Sequence, residues 1–119
     1  MSDNVVQQKS YEFALIIIAL YQRLLRCGEF VLSKQLLRSG TSVGANVEEA
    51  LAGQSKRDFA AKMVIALKEA RESKYWLRLL RDSDLTNIDV SSEIERVEEL
   101  IRILTSIVKT TIPRANPNQ

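Results

Sequence analysis

A row of basic residues beside two aromatic residues is the first feature of this chain that could do chemistry. The row contains Arg71, Lys74, Arg78 and Arg81 at intervals of three, four and three residues, with Lys56 and Arg57 earlier in the same segment. This spacing places the later four on one face of a helix. Such a face could bind nucleic-acid phosphates while Tyr75 and Trp76 stack on bases. The alternative is a solvated face on which Glu69 and Glu72 neutralise the cations and the aromatic rings pack.

A second row is polar but contains mostly small and amide side chains, whereas an ordinary solvent-facing row would contain Lys and Glu. Its members are Gln35, Arg38, Ser39, Ser42, Asn46 and Glu49. The row is either a ligand or nucleic-acid site, or an internal network in which partners on the next helix neutralise Arg38 and Glu49. The network is favoured, because buried polar groups must form hydrogen bonds whether or not they have a function.

Most catalytic chemistry lacks its residues in this chain. Histidine, the commonest general base and metal ligand, is absent from the sequence, and Cys27 is the only cysteine. No glycine-rich phosphate loop occurs. Carboxylates alone could bind magnesium, so a magnesium-dependent hydrolase remains a remote alternative. The sequence predicts a protein that is not an enzyme and has no catalytic residue, metal site or cofactor.

The composition is that of one soluble domain. The chain has 119 residues, of which 45% are hydrophobic and 27% charged, and its net charge is +2. A mildly basic balance is compatible with nucleic-acid binding but does not require it. The longest apolar run, 13–20, is too short to span a bilayer. A single cysteine and no targeting segment indicate a cytoplasmic protein with no membrane partner.

Scarce glycine and proline favour helices over a sheet with many turns. Apolar periodicity predicts helices over about 3–27, 30–52, 55–81 and 91–112. Residues 39–42 also have loop-like composition, but the periodicity continues on both sides of Gly40 and Gly44, which favours a helix. The expected fold is all-α, an antiparallel up-down-up-down four-helix bundle over 1–112 with a flexible tail over 113–119.

The first helix has apolar residues on two sides. One row contains Phe13, Ile16, Ile17, Leu20 and Leu24, and the other contains Tyr11, Leu15, Ile18 and Leu25. A helix that packs against one core needs a single apolar stripe. The second row therefore predicts that the protein forms a homo-oligomer.

Two segments resemble a family of four-helix bundles encoded in intervening sequences of bacterial large-subunit ribosomal RNA genes. They are QLLRSGTSVGANVEEA, over 35–50, and ALKEARESKYWL, over 66–77. The resemblance extends over about 10–112, with Glu48 standing where the family commonly has Ala. It implies a ring-like homopentamer and kinship with the accessory variability proteins of retroelements, which bind a reverse transcriptase and nucleic acid. It implies no catalytic residue.

Together these observations predict a non-enzymatic, oligomeric protein that associates with RNA or another structured nucleic acid, DNA included, through its basic row. The alternative is a scaffold that presents charge to a protein partner, for example a reverse-transcriptase-like protein, and does not contact nucleic acid.

Overall fold

Four helices form the regular structure of the chain. The computed structural model describes residues 2–111, with side chains from residue 5. These residues contain α1 (Ser2–Arg26), α2 (Leu32–Ala52), α3 (Lys56–Asp82) and α4 (Ser91–Thr111), and no strand. The predicted all-α class is therefore confirmed. Residue 112 and the expected tail, 113–119, lie outside the described residues. No helix within 2–111 has the length and apolar character needed to cross a membrane.

Each helix runs antiparallel to both of its neighbours. Around the bundle, α1 packs on α2, α2 on α3, α3 on α4, and α4 on α1. In every pair, residue numbers rise along one helix and fall along the other. The neighbouring residues that establish this are Gln7–Glu48 and Ile17–Gly40, Arg38–Glu69 and Glu49–Lys62, Phe59–Thr110 and Lys74–Glu98, and Lys9–Glu99 and Glu12–Arg96. The architecture is an up-down-up-down bundle.

Two glycines of α2 allow α1 to approach closely. A Cβ atom on Gly40 would lie 2.9 Å from Cγ2 of Ile17, and one on Gly44 would lie 3.2 Å from the carbonyl oxygen of Ser10. Both contacts would be tighter than ordinary van der Waals contact. The close packing offsets the lower helix propensity of glycine, about 1 kcal/mol per residue relative to Ala. Helix α2 is continuous through both positions, as predicted.

The hydrophobic core runs along the inner faces of all four helices. Its largest fully buried side chains include Phe13, Ile17, Leu20, Leu24, Leu36, Met63, Leu77, Leu80, Leu100 and Leu104. Within α1, α3 and α4 they recur on one helical face, which is the pattern that predicted the helices. Burial of a side chain of this size contributes about 1.5–3 kcal/mol. The core is therefore the main stabilising element of the bundle.

Helix α1 has a second apolar surface, directed away from the core. Tyr11, Leu15 and Ile18 are 62%, 50% and 39% exposed. Gln8 and Gln22 continue the same face in both directions and are also exposed. These five residues, called the α1 stripe below, carry no charge over about 21 Å of helix. The two-sided character of α1 is confirmed, whereas the assembly that it predicts stays a prediction.

Helix α2 begins two residues later than predicted because Glu29 caps it. The Glu29 carboxylate accepts hydrogen bonds from the N–H groups of Val31, Leu32 and Ser33 at 3.2, 2.9 and 2.7 Å. In return, the Ser33 hydroxyl donates to the Glu29 carbonyl oxygen at 2.8 Å. Burial raises the pKa of Glu29, but these hydrogen bonds outweigh it and hold the pKa below its ordinary value. Phe30 consequently lies in the connection and is exposed.

Candidate nucleic-acid interface

The outer side of α3 brings three cations together around an aromatic ring. Lys68, Arg71, Tyr75 and Arg78 recur at intervals of three, four and three, and all four are exposed. They are called the α3 basic face below, and they extend over about 15 Å of helix. Within the described residues, no ion pair involves any of the three cations. Lys68 was not among the predicted residues, although its position three residues before Arg71 places it on the same face.

The other two members of the predicted basic row have acidic partners. Lys74 turns toward α4, where its Nζ lies 3.1 Å from Oε2 of Glu98. Arg81 pairs with its neighbour Asp82 through hydrogen bonds of 2.7 and 3.0 Å. These bonds lower the pKa of Asp82. Exposed pairs of this kind add little stability, but they reduce the charge that a phosphate would meet. The basic row therefore divides into a paired half and an unpaired half.

Lys56 and Arg57 lie apart from the α3 basic face. Both are exposed in the first turn of α3, where Ser55 caps the helix by accepting a hydrogen bond from the Asp58 N–H at 3.0 Å. Arg57 precedes Arg71 by fourteen residues, a separation of about 21 Å along the helix. The structure thus presents two basic areas on α3, of which only the later one includes an exposed aromatic ring.

Tyr75 and Trp76, which the sequence offered as equivalent stacking groups, have different environments. The Tyr75 side chain is 51% exposed, whereas Trp76 is half-buried and packs against the core. The indole N–H of Trp76 donates to Oε2 of Glu72 at 3.1 Å. The two rings meet edge to face, with centroids 5.2 Å apart and planes at 61°. Trp76 therefore supports Tyr75, and Tyr75 alone presents a ring to solvent.

The predicted polar row lies along the boundary between α2 and α3, and one member is fully inside. Ser39 is buried, and its hydroxyl oxygen lies 2.8 Å from that of Ser73, which is also buried. The Ser73 hydroxyl lies 2.9 Å from the carbonyl oxygen of Glu69. These hydroxyl groups form a small hydrogen-bonded cluster that joins α2 to α3.

The remaining members of the row are partly or fully exposed. Arg38 forms an ion pair with Glu69 at 3.0 Å and also pairs with Glu72, both on α3. Glu49 forms an ion pair with Lys62 of α3 at 3.0 Å. Asn46 Nδ2 donates to the Ser42 carbonyl oxygen at 2.8 Å and the Ser42 hydroxyl donates to the Arg38 carbonyl oxygen at 2.8 Å, both within α2. Gln35 is exposed. Because the row is turned away from the core, solvent reaches most of it. Arg38, Ser39 and Glu49 are the members of the row that connect α2 to α3.

Glu72 connects this boundary to the aromatic pair. Burial raises the pKa of Glu72, but hydrogen bonds from Trp76 and Arg38 and the positive charges of Arg38 and Lys68 outweigh it, so the pKa lies below its ordinary value. Glu72 is therefore ionised at neutral pH. A chain of contacts runs from Arg38 through Glu72 and Trp76 to Tyr75, and it fixes the position of the exposed ring from the α2 side.

A sequence model of 23S rRNA-intervening sequence proteins matches residues 2–106. The chain belongs to this family. The match includes all of α1 to α3 and most of α4, and it confirms the resemblance inferred from 35–50 and 66–77.

A solved structure of a similar protein has the same fold. It is a protein with unknown function from the S23 ribosomal protein family of Bacteroides thetaiotaomicron VPI-5482. Its sequence is 50% identical, and the alignment covers 92% of this chain and 99% of that one with a TM-score of 0.84. None of the curated proteins compared with the chain matches it. These similarities establish the family and the bundle.

The described part of this intervening-sequence protein offers no obvious metal centre. Among its described residues, no three or more His, Cys, Asp or Glu side chains come together as a group that could hold an ion. The acidic residues instead pair with cations across helix boundaries, as Glu49 does with Lys62 and Glu98 with Lys74. What sets the α3 basic face apart is the combination, on one side of α3, of an exposed aromatic ring with cations that form no ion pair within the described residues.

Proposed function

We propose that this protein is a non-enzymatic, cytoplasmic homo-oligomer that associates with RNA, or another structured nucleic acid, through the α3 basic face. The observation that carries the proposal is the division of the basic row. Lys74 and Arg81 have acidic partners, whereas Lys68, Arg71 and Arg78, around an exposed ring, form no ion pair with any residue that the structure describes. Closely spaced free cations attract phosphates and release counterions on binding. The family is described by an intervening sequence of 23S rRNA, and this genomic association is the reason for choosing RNA as the first ligand to test.

The α1 stripe supports the oligomeric part of the proposal. Tyr11, Leu15 and Ile18 form an uncharged apolar surface on the side of α1 that faces away from the core. A surface of this kind is typical of an interface between subunits. A second copy of the chain is the simplest partner, and the family resemblance implies five copies in a ring. Several copies would present several α3 basic faces, which increases avidity for a long strand.

An electrophoretic mobility shift assay with a structured RNA at low salt tests the proposal. The variant carries Arg71→Glu and Arg78→Glu. The control carries Arg23→Glu and Arg102→Glu, which make the same charge change at exposed positions on α1 and α4. A charged hydrogen bond contributes about 1.5–3 kcal/mol, so the variant should bind roughly tenfold more weakly or worse. The control should lose much less. Absence of any wild-type shift, or equal loss in the two proteins, contradicts the proposal.

A protein-interaction scaffold is the second candidate, and the connections at one end of the bundle favour it. The α1–α2 and α3–α4 connections meet there, since Arg23, Cys27 and residues 84–89 line one cavity. Phe30, Val31 and Leu85 are exposed in these connections, and exposed apolar side chains of this kind suit a protein partner.

Affinity purification after nuclease treatment separates the two candidates. The scaffold requires that a polymerase-like partner still co-purify with the protein after nuclease treatment. It also requires that this partner no longer co-purify when Phe30 and Leu85 are both changed to Asp. It further requires that the wild-type protein give no mobility shift with RNA, because the scaffold does not contact nucleic acid. Loss of every co-purified species on nuclease treatment favours the RNA-associated function.

A further inference from the structure

We infer that the α3 basic face binds single-stranded RNA by stacking a base on Tyr75, with the flanking cations holding the neighbouring phosphates. The inference rests on the proposed function and specifies its ligand. It assigns a role to Tyr75 that is separate from charge, and it excludes Trp76 as a stacking residue.

The ring of Tyr75 is accessible to a base and is supported by a neighbouring ring. Its side chain is half exposed, and Trp76 braces it edge to face. Trp76 is itself held by its hydrogen bond to Glu72, which also pairs with Arg38. An aromatic ring fixed in this way loses little conformational freedom on binding a base. An exposed ring without such support would lose more.

The cations flank this ring along the helix axis. Arg71 precedes Tyr75 by four residues and Arg78 follows it by three, so their Cα atoms lie about 6 and 4.5 Å from that of Tyr75 along the axis. Lys68 adds a third positive charge one turn further from the ring. A strand laid along α3 would therefore meet a cation, a ring and a second cation in succession. Alternation of charge and aromatic surface is the general design of single-strand binding sites.

A duplex does not suit this arrangement. The bases of an RNA duplex are stacked on each other, so their faces are unavailable to a ring on a protein surface. The major groove of an A-form duplex is also too deep and narrow for side chains to enter. Duplex RNA could contact the cations through its phosphates but would leave Tyr75 unused. A single strand uses all four residues of the face.

Fluorescence anisotropy of labelled RNA separates stacking from charge. The probes are an unstructured twelve-nucleotide oligouridine and a blunt twelve-base-pair RNA duplex, each titrated at low salt. Tyr75→Ala should weaken oligouridine binding roughly 5-fold to 150-fold, the range that corresponds to about 1–3 kcal/mol per stacked base. Tyr75→Phe keeps the ring and should bind within about twofold of wild type. Tyr21→Ala, which removes a partly exposed tyrosine of α1 outside the α3 basic face, should have no effect.

The fluorescence of Trp76, the only tryptophan of the chain, gives a second measurement on unmodified protein. Oligouridine should change this fluorescence because the base stacks beside a ring whose centroid is 5.2 Å from that of Trp76.

Each outcome has a separate meaning. Stacking is overturned if Tyr75→Ala binds oligouridine as tightly as the wild type does. It is also overturned if Tyr75→Ala weakens binding of the duplex as much as binding of oligouridine. Tighter binding of the corresponding oligodeoxythymidine overturns the choice of RNA. Failure of wild-type protein to bind any RNA overturns the proposed function itself.

Discussion

The contacts of Glu29 at the N-terminus of α2 predict how the stability of the fold depends on this residue and on pH. Three backbone N–H groups at the start of α2 donate to its carboxylate, and its side chain is only 7% exposed. Glu29→Gln removes the charge. It also places an amide NH2 where a carboxylate oxygen accepts, so one N–H must face a donor. Loss of a helix cap costs about 0.5–2 kcal/mol, and loss of the favourable charge at the helix N-terminus about 0.3–1 kcal/mol more.

The expected total for Glu29→Gln is therefore a loss of about 2 kcal/mol in the free energy of unfolding at neutral pH. For a chain of this length it lowers Tm by about 8 °C. Urea unfolding followed by circular dichroism measures the free energy, and thermal unfolding measures Tm. Glu95→Gln, a substitution at an exposed position of α4, is the matched control and should change stability by no more than about 0.5 kcal/mol.

The pH dependence follows from the direction of the pKa shift. Because the folded pKa of Glu29 lies below its unfolded value, the ionised carboxylate stabilises the fold above the unfolded pKa. That contribution is lost as pH falls through the folded pKa. The stability difference between wild type and Glu29→Gln should therefore shrink as the solution is acidified below the ordinary glutamate range. Equal stability of the two proteins at neutral pH, or a difference that stays constant into acid, refutes this account of the cap.

Other predictions concern the packing of α2 and the assembly of subunits. Ser39→Ala and Ser73→Ala should each lower the free energy of unfolding by about 1–2 kcal/mol, and in urea unfolding the double variant should lose less than the sum because the hydroxyl groups bond to each other. Additive losses would contradict a shared cluster. Gly44→Leu should lower Tm by 5 °C or more, on the order of 1–3 kcal/mol, because its side chain would meet the backbone of α1; an unchanged Tm would show that the helices separate easily. Leu15→Glu with Ile18→Lys should turn the assembly into a monomer in multi-angle light scattering while circular dichroism keeps the helical signal. A wild-type monomer at micromolar concentration would remove the α1 stripe as an interface.

The inner faces of the helices were predictable because helical periodicity alone determines them. Phe13, Ile17 and Leu36 recur with their neighbours every three or four residues, and all are buried. The course of α2 through Gly40 and Gly44 was predictable for the same reason. The capping of α2 was harder to predict from the sequence. Glu29 and Ser33 have a spacing that permits mutual hydrogen bonds, but the exposed apolar residues between them resemble a helix start.

Contacts between helices limited what could be predicted about the candidate site. Lys74 is not available to a ligand because it pairs with a residue of α4, twenty-four residues further along the chain. No local sequence pattern reveals that contact. The polar row was expected inside the bundle, yet the rotation of α2 about its axis leaves Gln35 and Glu49 exposed and encloses Ser39. Tyr75 and Trp76 are adjacent in sequence, so the difference between their environments could not be predicted. Such distinctions depend on how whole helices pack.

The salt dependence of RNA binding tests the α3 basic face most directly. The equilibrium constant of wild type and of the Arg71→Gln, Arg78→Gln variant for single-stranded RNA is measured over a range of salt concentrations. Each lost phosphate contact should reduce the magnitude of the slope of log K against log salt by about 0.7. The account predicts a steep wild-type slope and a shallower one in the variant. A wild-type affinity that does not depend on salt, or identical slopes in the two proteins, would contradict it.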